Sequence, residues 1–176
     1  MNLKLKRTPG IYVVGFMGAG KSTIGRLLAD RIGWRFIDLD DDIESTARQA
    51  ITAIFETLGE AGFRRLEHEA LRLRVAEVER GRPSVIAVGG GAFAQDVNRD
   101  LLSNNGISLW LDCPLDVVQR RVAAATHRPL ARDPEKFAAL YAARRDAYSR
   151  AEYRVPIESD DPCVAVDTIL HLPIFR

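Results

Sequence analysis

The residue types most able to do chemistry lie in one short run near the start of the chain. The pattern G-x-x-x-x-G-K-[ST] is matched by Gly15, Gly20, Lys21 and Ser22. Such glycines let successive backbone N–H groups turn toward an anion, and the following helix adds a favourable dipole. Lys21 can then reach the β- and γ-phosphates of a nucleotide, and the Ser22 hydroxyl can ligate Mg²⁺. A glycine turn that binds nothing is disfavoured, because Ile11–Val14 predicts a strand before the motif and the following residues predict an amphipathic helix.

Acidic residues follow the second predicted strand, Trp34–Leu39. Asp38 and Asp40 are expected at the carboxyl end of this strand, the edge where ligands bind in open α/β sheets. Two carboxylates there could serve a Mg²⁺ shell on one side and a substrate hydroxyl on the other. Helix capping is the alternative, and we assign that role to Asp41 and Asp42.

Two further segments suggest recognition of an acidic small molecule. Arg64 and Glu67 share a helix face and could form an ordinary surface pair. Alternatively, Glu67 orients Arg64 as a fork for a carboxylate. The run Gly89–Gly91 follows a predicted strand, fills no core, and indicates close approach of a ligand to the backbone.

A polar stretch, Thr126–Pro134, is predicted to be an irregular loop. In a phosphoryl-transfer enzyme, a loop arginine such as Arg128 could close over the transferring group as part of a lid. A solvated loop arginine is the alternative. On the preceding helix we expect Arg120 and Arg121 to be solvated, although one of them could face a bound adenine.

Strands alternating with helices must position these groups. Strands are predicted at 11–14, 34–39, 84–88, 107–111 and 153–157. Helices are predicted after the phosphate loop, at 41–50, 51–58, 60–80, 96–104, 114–125 and 135–150, and from 162. This alternation predicts an α/β fold whose parallel sheet is covered by helices on both faces.

Composition excludes several classes of protein. With 47% hydrophobic and 28% charged residues, the 176-residue chain has a globular balance and is expected to form one domain. A net charge of +1 gives no sign of nucleic-acid or membrane binding, and no apolar run approaches the ~20 residues of a membrane span. Met1–Thr8 lacks the apolar core of a secretory signal, and the two cysteines show no metal-ligand spacing. We therefore expect a cytoplasmic protein.

Taken in order, these motifs resemble the shikimate kinase family over nearly the whole chain. The matching segments are Gly15–Thr23, Asp38–Asp40, Gly59–Glu67, Gly89–Gly91 and Arg128–Leu130. The resemblance implies a single P-loop kinase domain over 1–176, related to the nucleoside-monophosphate kinases, with a five-stranded parallel sheet. It also implies a substrate-binding helical segment at about 41–80 and a mobile lid at about 126–134.

The resemblance implies ATP-dependent phosphorylation of the 3-hydroxyl of shikimate, in aromatic amino-acid biosynthesis. ATP would be bound by Gly18, Ala19, Gly20, Lys21, Ser22, Thr23 and Arg128, and Mg²⁺ by Ser22 and Asp38. Shikimate would be bound by Asp40, Arg64, the Gly90 amide and Arg144, with Arg145 as the alternative to Arg144. Catalysis would rest on Lys21, Asp40 and Arg128, where Asp40 orients or deprotonates the attacking hydroxyl.

Departures from the family pattern affect what is expected of the lid and of the adenine contact. Asp146 and Ala147 replace a common Pro-Leu pair, the segment between Arg128 and Arg144 is short, and Ser159–Pro162 lacks an arginine that contacts adenine in some members. A gluconate-type sugar-acid kinase and a non-catalytic nucleotide-binding regulator or scaffold remain the alternatives. We expect a monomer whose partners are small molecules.

Overall fold

The computed structural model describes residues 10–125 and 133–175. Its strands are β1 (Gly10–Val14), β2 (Arg35–Asp38), β3 (Ser84–Ala87), β4 (Gly106–Asp112) and β5 (Tyr153–Pro156). Its helices are α1 (Lys21–Ile32), α2 (Leu39–Ala47), α3 (Ile51–Glu79), α4 (Asp96–Asn105), α5 (Leu115–Ala124), α6 (Pro134–Tyr148) and α7 (Pro162–Leu170). Short 3₁₀ turns occupy Ala92–Ala94 and Pro173–Phe175.

The five strands form one parallel sheet in the order β2-β3-β1-β4-β5. β1 lies at the centre, where Val13 pairs with Ala87 on one side and Leu109 on the other. Every residue of β1 is buried. Because successive side chains of a strand point to opposite faces, both faces of the sheet must be covered. The predicted α/β fold with a five-stranded parallel sheet is confirmed.

The second strand ends earlier than the sequence predicts. β2 stops at Asp38, whose carboxylate accepts hydrogen bonds from the N–H groups of Asp40 (3.0 Å) and Asp41 (3.5 Å). Asp38 is therefore the N-cap of α2, and Asp40 lies in the first helical turn. Assigning the cap to Asp41 and Asp42 was wrong, as was placing Asp40 on the strand. Asp42 instead accepts a hydrogen bond of 2.8 Å from Nε of Arg74.

The two helices predicted at 51–58 and 60–80 form one bent element. Gly59 interrupts α3 with φ 68° and ψ −177°, a backbone conformation that glycine tolerates and other residues rarely adopt. The kink lets the second part of α3 run past the carboxyl edge of the sheet, with Phe63 and Glu67 buried. None of the helices in the described residues is both long and apolar enough to cross a membrane.

Candidate active site

A cavity of about 770 Å³ lies at the carboxyl ends of the strands. Its lining brings together most residues that the sequence singles out: Gly18, Gly20, Lys21, Ser22, Thr23, Asp38, Asp40, Arg64, Glu67, Gly89, Gly90, Gly91 and Arg144. Ala19 is fully buried and is not part of the described lining. The loops that follow β1, β2 and β3 thus converge on one space, as expected for the ligand edge of an open parallel sheet.

The phosphate-binding loop leads directly into α1. Gly20 caps the helix with φ 93° and makes no side-chain capping bond, which leaves the N–H groups of the first turn available to an anion. Nζ of Lys21 donates to the carbonyl oxygens of Gly15 (2.9 Å) and Phe16 (3.0 Å). The ammonium group is therefore held beside the loop that would surround a phosphate.

Ser22 and Asp38 supply adjacent oxygen atoms at the mouth of this loop. The Ser22 hydroxyl donates a hydrogen bond to Oδ2 of Asp38. A hydroxyl beside a carboxylate is an oxygen-rich donor pair of the kind that Mg²⁺ prefers. The described residues hold no cluster of three or more His, Cys, Asp or Glu side chains suited to a metal. Any Mg²⁺ here would thus take its remaining ligands from phosphates and water.

Arg64 and Glu67 form a pair inside the protein, which excludes the surface-pair interpretation. Nη1 of Arg64 donates to Oε1 of Glu67 at 2.7 Å, and the Glu67 side chain is only 1% exposed. Burial raises the pKa of Glu67, and the Arg64 guanidinium opposes that rise. Nε of Arg64 is buried and has no hydrogen-bond partner among the described residues. Glu67 therefore orients a guanidinium that lines the cavity.

The glycine run explains how this guanidinium fits. A Cβ added at Gly91 would overlap Nη2 of Arg64 and lie 2.7 Å from its Cζ. The absence of a side chain at this position is what admits the arginine head. The space at Gly91 is thus used by the chain's own Arg64, and the predicted close approach of a ligand to Gly89–Gly91 stays a prediction.

Gly89 and Gly90 likewise leave space for charged side chains close to the backbone. A Cβ at Gly89 would lie 2.9 Å from Oδ1 of Asp40 and 3.0 Å from Oε2 of Glu67. At Gly90 it would lie 3.4 Å from Nη1 of Arg144. Acidic and basic side chains from three helices therefore pack around one stretch of bare backbone. This arrangement places two carboxylates and two guanidinium groups at the same end of the cavity.

The structure separates the two arginines that the sequence left as alternatives. Arg144 lines the cavity. Arg145 donates to both carboxylate oxygens of Asp112, at 2.6 and 3.2 Å, and to the Tyr141 hydroxyl at 2.8 Å. Consecutive helix positions point in directions about 100° apart, so neighbouring residues serve different surroundings. Of the two, Arg144 is the residue placed to meet a ligand.

Arg121 lines the cavity, although the sequence predicted it to be solvated and left open only that it or Arg120 could face a bound adenine. Its Nη1 donates to the carbonyl oxygen of Gly18 (3.1 Å), and its Nη2 donates to Oδ1 of Asp160 (2.9 Å). Its side chain is only 27% exposed, so the expectation that it is solvated was wrong, and the alternative contact with adenine stays a prediction. Arg120, which also pairs with Asp160, is 62% exposed and fits that expectation better. Arg121 lies three positions after buried Val118, at the edge of the apolar face of α5, and that spacing was the available signal.

Arg128 and most of the predicted lid at 126–134 lie outside the described residues. The structure describes their flanks, where α5 ends at Ala124 and α6 begins at Pro134. Both the lid and the contact of Arg128 with phosphate therefore stay predictions.

Comparison with known proteins gives the family. A family model described as Shikimate kinase matches residues 17–172. The Shikimate kinase of Ruegeria pomeroyi is 43% identical over 145 residues, 81% of this chain and 72% of that protein. That of Persephonella marina is 37% identical over 161 residues, 91% of this chain and 96% of that protein. A solved shikimate kinase from Acinetobacter baumannii, in complex with shikimate, is 34% identical with a TM-score of 0.88 and covers 97% of this chain and 96% of its own. The chain belongs to the shikimate kinase family.

Proposed function

We propose that this protein transfers the γ-phosphoryl group of ATP to the 3-hydroxyl of shikimate, giving shikimate 3-phosphate and ADP. One observation carries the proposal: a phosphate-binding loop and two inward-facing arginines, Arg64 and Arg144, line the same cavity with Asp40. The cavity thus combines a phosphate-binding site for a nucleotide with two arginines able to bind the carboxylate of an acceptor. Asp40 lies in the same cavity and can accept a hydrogen bond from the acceptor's hydroxyl. The assignment of shikimate as that acceptor rests on the family.

At the nucleotide end, the backbone of residues 18–23 and the Lys21 ammonium bind the phosphates of ATP. Ser22 and Asp38 would hold Mg²⁺, which would neutralise phosphate charge when bound with the nucleotide. Lys21 meets the charge that develops on the transferring group. Support comes from the helix N-terminus behind the loop, which is free of side-chain caps, and from the Ser22–Asp38 contact. Arg128 adds a further positive charge on closure of the loop that carries it.

At the acceptor end, Arg64 binds the shikimate carboxylate through parallel hydrogen bonds, and Arg144 provides a second guanidinium. The Gly90 amide donates to the acceptor as well. Asp40 accepts the hydrogen of the attacking hydroxyl and orients it toward the γ-phosphate. Support for this arrangement comes from the glycine run, since Asp40 and both arginines approach its backbone closely.

A coupled assay of ADP release tests the proposed function, with shikimate, gluconate or no acceptor added to MgATP. We expect ADP release only when shikimate is the acceptor, together with a new phosphomonoester signal by ³¹P NMR. Release with gluconate would favour a sugar-acid kinase. Nucleotide binding without turnover on either acceptor would favour a regulator or scaffold. Gel filtration of the same sample tests the expected monomer.

A further inference from the structure

We propose that Tyr148 is a positioning residue for the acceptor site, fixing both the Gly90 peptide and the Arg144 guanidinium. The inference rests on the proposed function, because it assigns these two groups to shikimate binding. Tyr148 is the last residue of α6 and is 1% exposed. It is not among the described residues that line the cavity, so it acts through its neighbours.

The phenol joins two elements that are distant in sequence. Its hydroxyl donates a hydrogen bond to the carbonyl oxygen of Gly90, 58 residues away. Gly90 has no side chain with which to anchor its own peptide, so its orientation depends on backbone contacts of this kind. A rotation of the Gly90–Gly91 peptide would turn its carbonyl away from Tyr148, redirect the Gly91 N–H that shares its plane, and shift the backbone next to the Gly90 N–H. The hydrogen bond therefore holds the strand-end loop in one orientation against α6.

Arg144 lies one helical turn before Tyr148 on α6, and its Nη1 lies 3.4 Å from the position that a Cβ at Gly90 would take, so the guanidinium and the phenol approach the same glycine. Burial raises the pKa of Tyr148 to about 12, and the Arg144 guanidinium opposes part of that rise. The phenol therefore keeps its proton at any ordinary working pH. Its one hydrogen is used on Gly90, which leaves the oxygen lone pairs as acceptors toward the arginine. One neutral hydroxyl is thus bonded to the backbone carbonyl of Gly90 and lies on the same side of α6 as the Arg144 guanidinium.

Tyr141, two turns earlier on α6, provides a matched control. Its hydroxyl donates to the carbonyl oxygen of Cys113 at 2.7 Å and accepts from Nη1 of Arg145 at 2.8 Å. The chemistry is the same, a phenol between a backbone carbonyl and an arginine, but that arginine is engaged with Asp112. Tyr141 and Arg145 are both outside the described cavity lining.

The experiment compares Tyr148→Phe with Tyr141→Phe by steady-state kinetics for both substrates, with thermal unfolding of each variant. Phenylalanine keeps the aromatic ring of Tyr148, whose centroid lies 6.3 Å from that of the Trp110 ring. We expect Tyr148→Phe to raise the KM for shikimate about five- to tenfold, the size of one lost hydrogen bond, and to leave the KM for ATP within about twofold. Tyr141→Phe should leave both values within about twofold.

A double-mutant cycle measures the coupling between Tyr148 and Arg144 in shikimate binding. A purely structural role of Tyr148 would give no such coupling. If Tyr148 acts through Arg144, the Phe substitution should cost much less in an Arg144→Ala background than in the wild type. Full additivity, an unchanged KM for shikimate, or equal effects of the two Phe variants would overturn the inference. These comparisons can be made only if the wild-type protein releases ADP with shikimate. A wild type inactive on shikimate would overturn the proposed function, and this inference with it.

Discussion

Gly91→Ala is the perturbation that most directly tests how the acceptor site is built. The backbone at Gly91 has φ −95° and ψ −14°, which alanine adopts without strain. The added Cβ would overlap Nη2 of Arg64 and lie 2.7 Å from both Cζ and Nη1. The substitution therefore acts on the arginine head and leaves the main chain free to keep its course.

The size of the effect follows from this geometry. Ordinary carbon contacts are about 3.5–4.0 Å, so the guanidinium must move by about 1 Å. That shift strains its 2.7 Å bond to Glu67 and misdirects the fork meant for a carboxylate. A misplacement of about 1 Å can cost about 100-fold in rate. We expect kcat/KM for shikimate to fall about 10- to 100-fold, or about 1.4–2.7 kcal/mol of transition-state stabilisation.

The assay is coupled ADP release with each substrate varied in turn. The KM for shikimate should rise while the KM for ATP stays within about twofold, because the phosphate loop is untouched. Circular dichroism and thermal unfolding check that the variant is folded. In an Arg64→Ala background the same glycine substitution should cost little more, since the displaced group is already gone. Full activity of Gly91→Ala, or an equal loss in both backgrounds, would refute the reasoning.

Three other predictions follow from the described contacts. Lys21→Ala should nearly abolish turnover in a folded protein, and a loss under about threefold, or ~0.7 kcal/mol, would contradict its role. Arg144→Ala should raise the KM for shikimate, whereas Arg145→Ala should mainly lower the melting temperature; the reverse pattern would exchange their roles. Burial raises the pKa of Asp112, but Arg145 and Arg154 outweigh it and hold that pKa below its ordinary value. This carboxylate therefore stabilises the fold above about pH 4 and loses that effect as the pH falls through the lowered pKa, so the melting deficit of Asp112→Asn should shrink in acid.

The local parts of this protein were predictable because neighbouring residues determine them. The phosphate loop occupies consecutive positions between β1 and α1, so its residue types and spacing suffice to predict an anion site. Helix and strand periods likewise placed all five strands, with β2 predicted one residue too long at its amino end and, at its carboxyl end, one residue past Asp38. The error at the carboxyl end arose because Asp38 uses its carboxylate as a cap, a choice that composition does not distinguish from a strand end followed by an acidic helix.

The sequence by itself determined the α/β class, the phosphate loop and the groups able to bind an acidic acceptor, because each is encoded in a short segment. Only the tertiary structure decided how those segments meet. The Arg64 guanidinium packs against Gly91, and Arg121 donates a hydrogen bond to Asp160. Both pairs join residues that are far apart in the chain. Which of Arg144 and Arg145 lines the cavity depends on the rotation of α6 about its axis, which is set by the packing of α6 against α5 and the turn after β3 and which no local pattern records.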